Sequence, residues 1–216
     1  MEKHESHNEQ NEFIFEATEK SEKAFSHYVM SFGLTESDLH KSILDVGAGE
    51  AGFIKYLRDH GNEKAFAVDL FVDLFNRGGR KDQNWFLAAD IQRLPFKDDT
   101  FELVLSLAVV PIFIQPEYPA TNYGREMDYK NLISELVRVV KPKGRIMFDY
   151  FDRGSCLAHK SHESKDDEQM QRYWEARAKI ADEFNEFINN LSDVDVSIQT
   201  YSGWSRVMCL TKVGGR

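Results

Sequence analysis

A short apolar run, Ile43-Leu44-Asp45-Val46, passes directly into Gly47-Ala48-Gly49-Glu50-Ala51-Gly52, and a helical pattern with Phe53, Ile54 and Leu57 on one face follows. A strand, a G-x-G-x-x-G loop and a helix in that order leave few folds open. Glycine is used in such a loop because a side chain would block both the tight turn and the close approach of a ligand to the backbone. Placed straight after a first strand, the loop points to a nucleoside-cofactor site. Its plainer reading is a tight strand-to-helix turn and nothing more.

The pattern on either side extends the same alternation. Ala65–Asp69, Trp85–Asp90, Phe101–Leu107 and Arg145–Tyr150 read as further strands, the third of them almost wholly apolar, as a strand covered on both faces should be. Glu50–His60 and Asn131–Val140 read as helices between them, the second with Leu132, Ile133, Leu136, Val137 and Val140 on one face and ended by Lys141-Pro142-Lys143-Gly144. Ser164 is placed to cap a long helix whose first turn carries Asp166, Asp167 and Glu168. Val194–Tyr201 and Arg206–Val213 close the chain as a hairpin around Gly203-Trp204. Asp73–Arg80 is ambiguous, a short helix at most. Strands alternating with helices imply a three-layer α/β domain with a parallel sheet.

Upstream, Glu16–Phe32 has helical spacing through Ala24, Phe25, Tyr28, Val29 and Phe32, with Gly33 where a helix C-cap glycine belongs. Thr35 and Asp38 have capping-box spacing for a second short helix. Residues 1–23 hold seven Glu against three Lys, so residues 1–15 are expected as a disordered acidic tail, 16–41 as a helical cap and 42–216 as the α/β domain.

Composition removes other classes. The 216 residues carry a formal net charge of -9, which opposes the counterion-releasing attraction that nucleic-acid binding relies on. Phe101–Ile114 is the longest strongly apolar run and, broken by Glu102, Ser106 and Pro111, is too short to span a bilayer. The opening Met1–Glu5 lacks the basic-then-apolar order of a secretory signal. Cys156 and Cys209 make no disulfide framework and lack zinc-site spacing, which suits reduced thiols in a cytoplasmic protein.

The acids decide what the glycine loop serves. Glu50 lies at the helix end where a pyrophosphate would have to sit, and Asp45 lies two residues before the first glycine. Negative charge there repels a dinucleotide and suits a ligand with a positive group, such as the ammonium and sulfonium of S-adenosylmethionine. Asp69, ending the second strand, is placed to accept from both hydroxyls of a ribose, and Asp90, ending the third, from an adenine amine. All three strand-end acids face the carboxyl edge of the sheet.

These residues resemble those of the class I S-adenosylmethionine-dependent methyltransferases, in the group acting on small molecules. The resemblance covers about Ser42–Tyr150. Ile43–Gly49 is similar to the family's first motif, Asp69 to its ribose-binding acid and Ala89-Asp90-Ile91 to its adenine contact. Leu94-Pro95-Phe96 with Asp99–Ser106 is similar to the run into the fourth strand, although the family often carries Asp where Glu102 stands. Leu136–Gly144 is similar to the helix and turn before the fifth. The resemblance implies a Rossmann-like sandwich on a seven-stranded, mostly parallel sheet with an antiparallel last strand. It implies S-adenosylmethionine held by Asp45, Gly47, Ala48, Gly49, Asp69, Leu70, Asp90, Ile91, Ser106 and Leu107, and methyl transfer to oxygen, nitrogen or carbon of a small acceptor.

No catalytic triad is legible, and alignment of an electrophilic methyl group needs none. Tyr118, Tyr123, Glu126 and Asp128, in a loop long enough to be a lid, and Tyr150, Asp152 and His159 after the fifth strand are the acceptor-side candidates. Cys156, His159 and His162 read as an exposed loop with no metal. The N-terminal helix, through Phe25 and Tyr28, either closes over the cofactor or packs on the sheet. The competing readings are an NAD-dependent oxidoreductase and a non-catalytic cofactor-binding partner subunit. A monomer or a homodimer fits either way.

Overall fold

Apolar runs form the central strands and alternating or mixed ones the later strands: β1 (Ile43–Val46), β2 (Ala65–Asp69), β3 (Phe86–Ala88), β4 (Phe101–Ser106), β5 (Val140–Tyr150), β6 (Val194–Gln199) and β7 (Arg206–Lys212). The computed structural model describes residues 5–70, 83–116, 127–163, 167–199 and 206–214. The seven strands make one sheet in the order β3-β2-β1-β4-β5-β7-β6. Pairing is parallel from β3 through β5, while β7 runs antiparallel to both β5 and β6. The chain steps outward from β1 to β3 and then crosses back to β4 on the other side of β1. That reversal opens a crevice at the carboxyl ends of β1 and β4, where open α/β sheets take their ligands.

Helices cover both faces: α1 (Glu5–Phe32), α2 (Glu36–Leu39), α3 (Gly52–Asp59), α4 (Val110–Phe113), α5 (Tyr129–Val139), α6 (Arg153–Glu163) and α7 (Glu168–Asn189). Alternate residues of each strand go to opposite faces. Leu44, Val46, Val104, Ile146 and Phe148 pack with Leu132, Ile133, Leu136 and Phe184 of α5 and α7. Ile43, Ala67, Leu103, Leu105 and Met147 pack with Tyr28, Phe32, Phe53 and Ile54 of α1 and α3. All four residues of β1 are buried, which explains the absence of polar alternation there.

Several expectations need revision. Helix α1 begins at Glu5, so residues 5–15 are helical and not a disordered tail; no glycine or proline interrupts the chain before Gly33, and nothing stops a helix anchored by Tyr28 and Phe32. The expected stop at Lys141–Gly144 is a bulge within β5. Phe101 faces Val140 but Leu103 already faces Arg145, and Lys143 takes the left-handed φ of +66° that the excursion requires. Residues 153–163, read as an exposed loop, form α6, started by Asp152, whose Oδ1 accepts from the Ser155 backbone N–H at 2.7 Å. The long helix is capped by Asp167, not Ser164: its carboxylate accepts from the N–H groups of Gln169 and Met170. Asp73–Arg80, Tyr118, Tyr123, Glu126 and the Gly203-Trp204 turn lie outside the described residues. Among the described residues no helix is long and apolar enough to cross a membrane.

Candidate active site

The glycine loop is built by its own backbone. Gly47 and Ala48 donate their N–H groups to the Val68 carbonyl at 2.8 and 3.1 Å, Gly49 donates to Asp69 Oδ2 at 2.8 Å, and Ala51 donates to the Ala48 carbonyl at 2.8 Å. Gly47 has φ +76°, and a Cβ there would lie 2.2 Å from the Val109 side chain, so both conformation and space demand glycine. The consequence for ligand choice is direct. A pyrophosphate needs free N–H donors at this turn, and four of the loop's donors are already given to protein acceptors. Asp69 and Glu50 add negative charge beside it.

Along this loop runs a crevice of about 290 Å³. Gly47, Gly49, Asp69, Leu70, Asp90, Ile91 and Leu107 line it, seven of the ten expected residues. The remaining wall comes from Gln92, Ala108, Val109, Ile112, Phe113 and Met127. Asp90 is held by the Gln92 backbone N–H on its Oδ1 at 3.0 Å. The site is therefore an apolar slot with two carboxylates at fixed points, the composition of a small-molecule site.

The other three expected residues lie elsewhere. Ser106 is fully buried and its hydroxyl donates to the Val46 carbonyl at 3.1 Å, tying β4 to the end of β1 and leaving the crevice wall to Leu107. Asp45 and Ala48 line a second cavity of about 290 Å³ on the other side of the loop, with Lys20, Ala24, Tyr28, Glu50, Gly52 and Phe53. Asp45 is fully buried; its Oδ1 accepts from the Tyr28 hydroxyl at 2.9 Å, and its Oδ2 finds no partner among the described residues. Burial raises its carboxyl to about 7, against the opposing pull of the Tyr28 hydrogen bond and helped by the nearby charge of Asp69. Tyr28 in turn is raised well above the usual phenol range by burial and by the charge of Asp45.

Sequence reasoning missed several parts of the frame. Asp149 Oδ1 accepts from the Ala108 N–H at 2.6 Å and so pins the turn after β4, where Ala108 has φ +61°. Burial raises its carboxyl as well. Arg177 of α7 is buried, donates to the Pro111 carbonyl at 3.0 Å and to the Tyr173 hydroxyl at 3.3 Å, and lies over the rings of Phe151 and Trp174 at 4.6 and 5.2 Å. It has no ion pair among the described residues, so ring faces and oxygens carry its charge. It braces the α4 turn that gives the crevice Ile112 and Phe113. Of the acceptor-side candidates, Asp128 caps α5, Tyr150 is buried, Asp152 caps α6 and meets Arg206 at 3.1 Å, and His159 stacks on Trp174 at 4.7 Å. Cys156 is buried against α7. None of them lines the crevice. Glu102, where the family often has Asp, accepts from both the N–H and the hydroxyl of Ser42.

The sheet order, the strand-end acids and a glycine loop with its donors turned inward define a class I, S-adenosylmethionine-dependent type of methyltransferase fold. Residues 44–148, just under half of the chain, match the family model described as a methyltransferase domain. It is 30% identical over 115 residues to the malonyl-[acyl-carrier protein] O-methyltransferase of Salmonella typhimurium, covering 53% of this chain and 40% of that protein. To the enzyme of the same description from Marinomonas it is 25% identical over 183 residues, covering 80% of this chain and 62% of that one. The chain thus spans less than two thirds of the length of either relative, 40% of the first and 62% of the second. Among solved structures, a putative S-adenosylmethionine-dependent methyltransferase from Methanococcus maripaludis has the same fold with a TM-score of 0.55, at 15% identity over 92% of this chain and 91% of that one. The plantazolicin methyltransferase BpumL, solved with S-adenosylhomocysteine, gives 0.52 at 14% identity over 97% and 90%.

Proposed function

We propose that this chain transfers the methyl group of S-adenosylmethionine to a small acceptor, with oxygen as the favoured accepting atom. The observation that carries this reading is the loop, four of whose N–H donors are given to acceptors within the protein while carboxylates lie beside it, an arrangement that disfavours a pyrophosphate and accepts an uncharged ribose and a cationic tail. When bound, the sulfonium supplies a methyl group that is already electrophilic.

The chain's own residues hold and align. Asp69, oriented by the Gly49 N–H, accepts from the ribose hydroxyls; Asp90, oriented by the Gln92 N–H, accepts from the adenine amine; Leu70, Ile91 and Phe113 give the base an apolar surface. Leu107, Val109 and Ile112 exclude water from the reacting end. Alignment of this sort supplies roughly 7–11 kcal/mol in favourable cases, which is enough without a protein base when the acceptor is already ionised. The described crevice wall offers Asp69 and Asp90 as its titratable side chains, and both are committed to the nucleoside. The relatives' names support oxygen: the malonyl-carrier enzymes and a probable tocopherol O-methyltransferase of rice, 30% identical over 115 residues, are all O-methyltransferases. A cytoplasmic setting fits the cofactor.

The test is turnover. The purified chain is incubated with labelled S-adenosylmethionine and a panel of small carboxylic acids, carboxyl-bearing thioesters and phenols, and S-adenosylhomocysteine is measured. Release that requires one of these acceptors is the expected result. Tight binding of NAD with none of S-adenosylhomocysteine refutes the reading.

A further inference from the structure

Beside the crevice stands a carboxylate that the nucleoside does not use. Asp149 is the penultimate residue of β5, and the parallel register that pairs Ser106 with Phe148 sets it level with Leu107, which carries β4 into the crevice wall. Its neighbours Phe148 and Tyr150 turn into the core under α5 and α7, so Asp149 takes the opposite face, the one covered by α1. Its Oδ1 accepts from the Ala108 N–H at 2.6 Å, and Ala108, held at φ +61°, is itself part of the crevice wall. A non-glycine residue at positive φ persists only where its surroundings hold it, and here the Asp149 carboxylate does so. No other residue among the described ones donates to Asp149, and the side chain stays partly exposed at the carboxyl rim of the sheet. From α1, His27 acts on it by charge, and it acts in turn on Tyr28; its register partner on β7 is the uncharged Val207. Asp152, three residues on, is already given to the Ser155 N–H and to Arg206.

We propose that Asp149 is the proton acceptor of the methyl transfer, its Oδ2 receiving the proton of a phenolic hydroxyl that approaches along the rim between α1 and the Leu107-Ala108 turn. The inference rests on the proposed function and narrows its acceptor class. In this step the hydroxyl oxygen forms a bond to the methyl carbon and the carbon–sulfur bond breaks, its electron pair staying on sulfur as the neutral thioether. The hydroxyl proton passes to Asp149 and then to water when the product leaves. The chemistry selects the acceptor. A carboxylate is ionised at neutral pH and has no proton to give, and an aliphatic alcohol is too weak an acid for a carboxylate to assist much. A phenol lies between them. Burial raises the Asp149 carboxyl against the pull of the Ala108 N–H, of its own N–H and of the His27 charge, which makes it a better match for a phenol than an exposed carboxylate.

The experiment measures kcat and KM against pH for phenol and for 4-nitrophenol, the latter ionised at pH 8, in the parent and in Asp149→Asn. Asn keeps an oxygen for the Ala108 N–H, and calorimetry with S-adenosylhomocysteine verifies that the variant retains the cofactor site. In the parent, kcat for phenol is expected to fall as pH drops and Asp149 takes up its proton. In Asp149→Asn it should be lower by about 10²–10⁴-fold and lack that acid limb, while 4-nitrophenol at pH 8 stays within about threefold of the parent. A second readout needs no turnover. With S-adenosylhomocysteine bound, the visible band of ionised 4-nitrophenol should appear at lower pH on Asp149→Asn than on the parent, because the neighbouring negative charge is gone. Equal loss for both phenols, or an unmoved band, makes Asp149 a brace for the turn alone and overturns the inference. So does a parent that methylates neither phenol, while its turnover of any other acceptor leaves the proposed function standing. A parent that binds no S-adenosylhomocysteine overturns the proposed function and the inference with it.

Discussion

Replacing Asp45 by Asn should change how stability depends on pH, and the structure sets the size of the effect. The Asp45 carboxyl is fully buried and raised from an unfolded value of 3.8 to about 7, chiefly by desolvation. Below the lower value the group is neutral in both states. Between the two values the unfolded chain ionises while the folded chain keeps its proton, so folding loses stability as pH rises, by about 1.36 kcal/mol per unit. Above about 7 the deficit is constant. Asn titrates in neither state, and it keeps an oxygen to accept the Tyr28 hydroxyl. Its amide leaves a donor unsatisfied, a fixed cost of about 1–3 kcal/mol at every pH. The stability of Asp45→Asn relative to the parent should therefore climb by about 2–3 kcal/mol from pH 5 to pH 7, other groups cancelling between the two proteins. Urea unfolding at pH 5, 6, 7 and 8 measures it. A difference that stays flat, or one that falls with pH, refutes the assignment of a neutral-leaning buried carboxyl.

Three further outcomes follow from the same geometry. Tyr28→Phe keeps the stack on Phe53 but removes the hydrogen bond that lowers the Asp45 carboxyl, so the pH range over which Asp45 costs stability should extend upward, visible in urea unfolding between pH 6 and pH 9. Asp69→Ala removes the ribose acceptor and leaves the Gly49 N–H without its partner; affinity for S-adenosylhomocysteine and for 5′-methylthioadenosine should fall together, by about 10–100-fold. Arg177→Met removes a buried cation from the Pro111 carbonyl and two ring faces and should cost about 2–3 kcal/mol in urea unfolding.

What was legible in the sequence had either a period or a chemistry. Ala65–Asp69 occupies its predicted span because a central parallel strand is uniformly apolar between turns, and Phe53, Ile54 and Leu57 turned inward because nothing else on α3 competes for the core. Asp69 and Asp90 line one crevice because strand ends in such a sheet share one edge. Helix α6 was missed because Gly154, Ser155 and two histidines hide its pattern; it is held by the Asp152 cap and by Cys156 against Trp174 and Ala178. The crevice walls Val109, Ile112, Phe113 and Met127 carry no signal beyond hydrophobicity. The second cavity depends on where α1 lands, and that is set by packing of Phe25 and Tyr28 on Tyr56 and Phe53 of α3, a contact that no local pattern announces. Ser106 shows the converse: a polar residue at the right rim can turn inward to satisfy a backbone carbonyl.

The most direct measurement is a crystal structure grown with S-adenosylhomocysteine. Ribose density within hydrogen-bond distance of Asp69, the base beside Asp90 and Ile91, and no phosphate-sized anion at the Gly47–Gly49 turn are the predicted result. Density for the nucleoside anywhere other than along that loop, or a pyrophosphate-bearing ligand seated on the Gly49 N–H with Asp69 swung away, contradicts it.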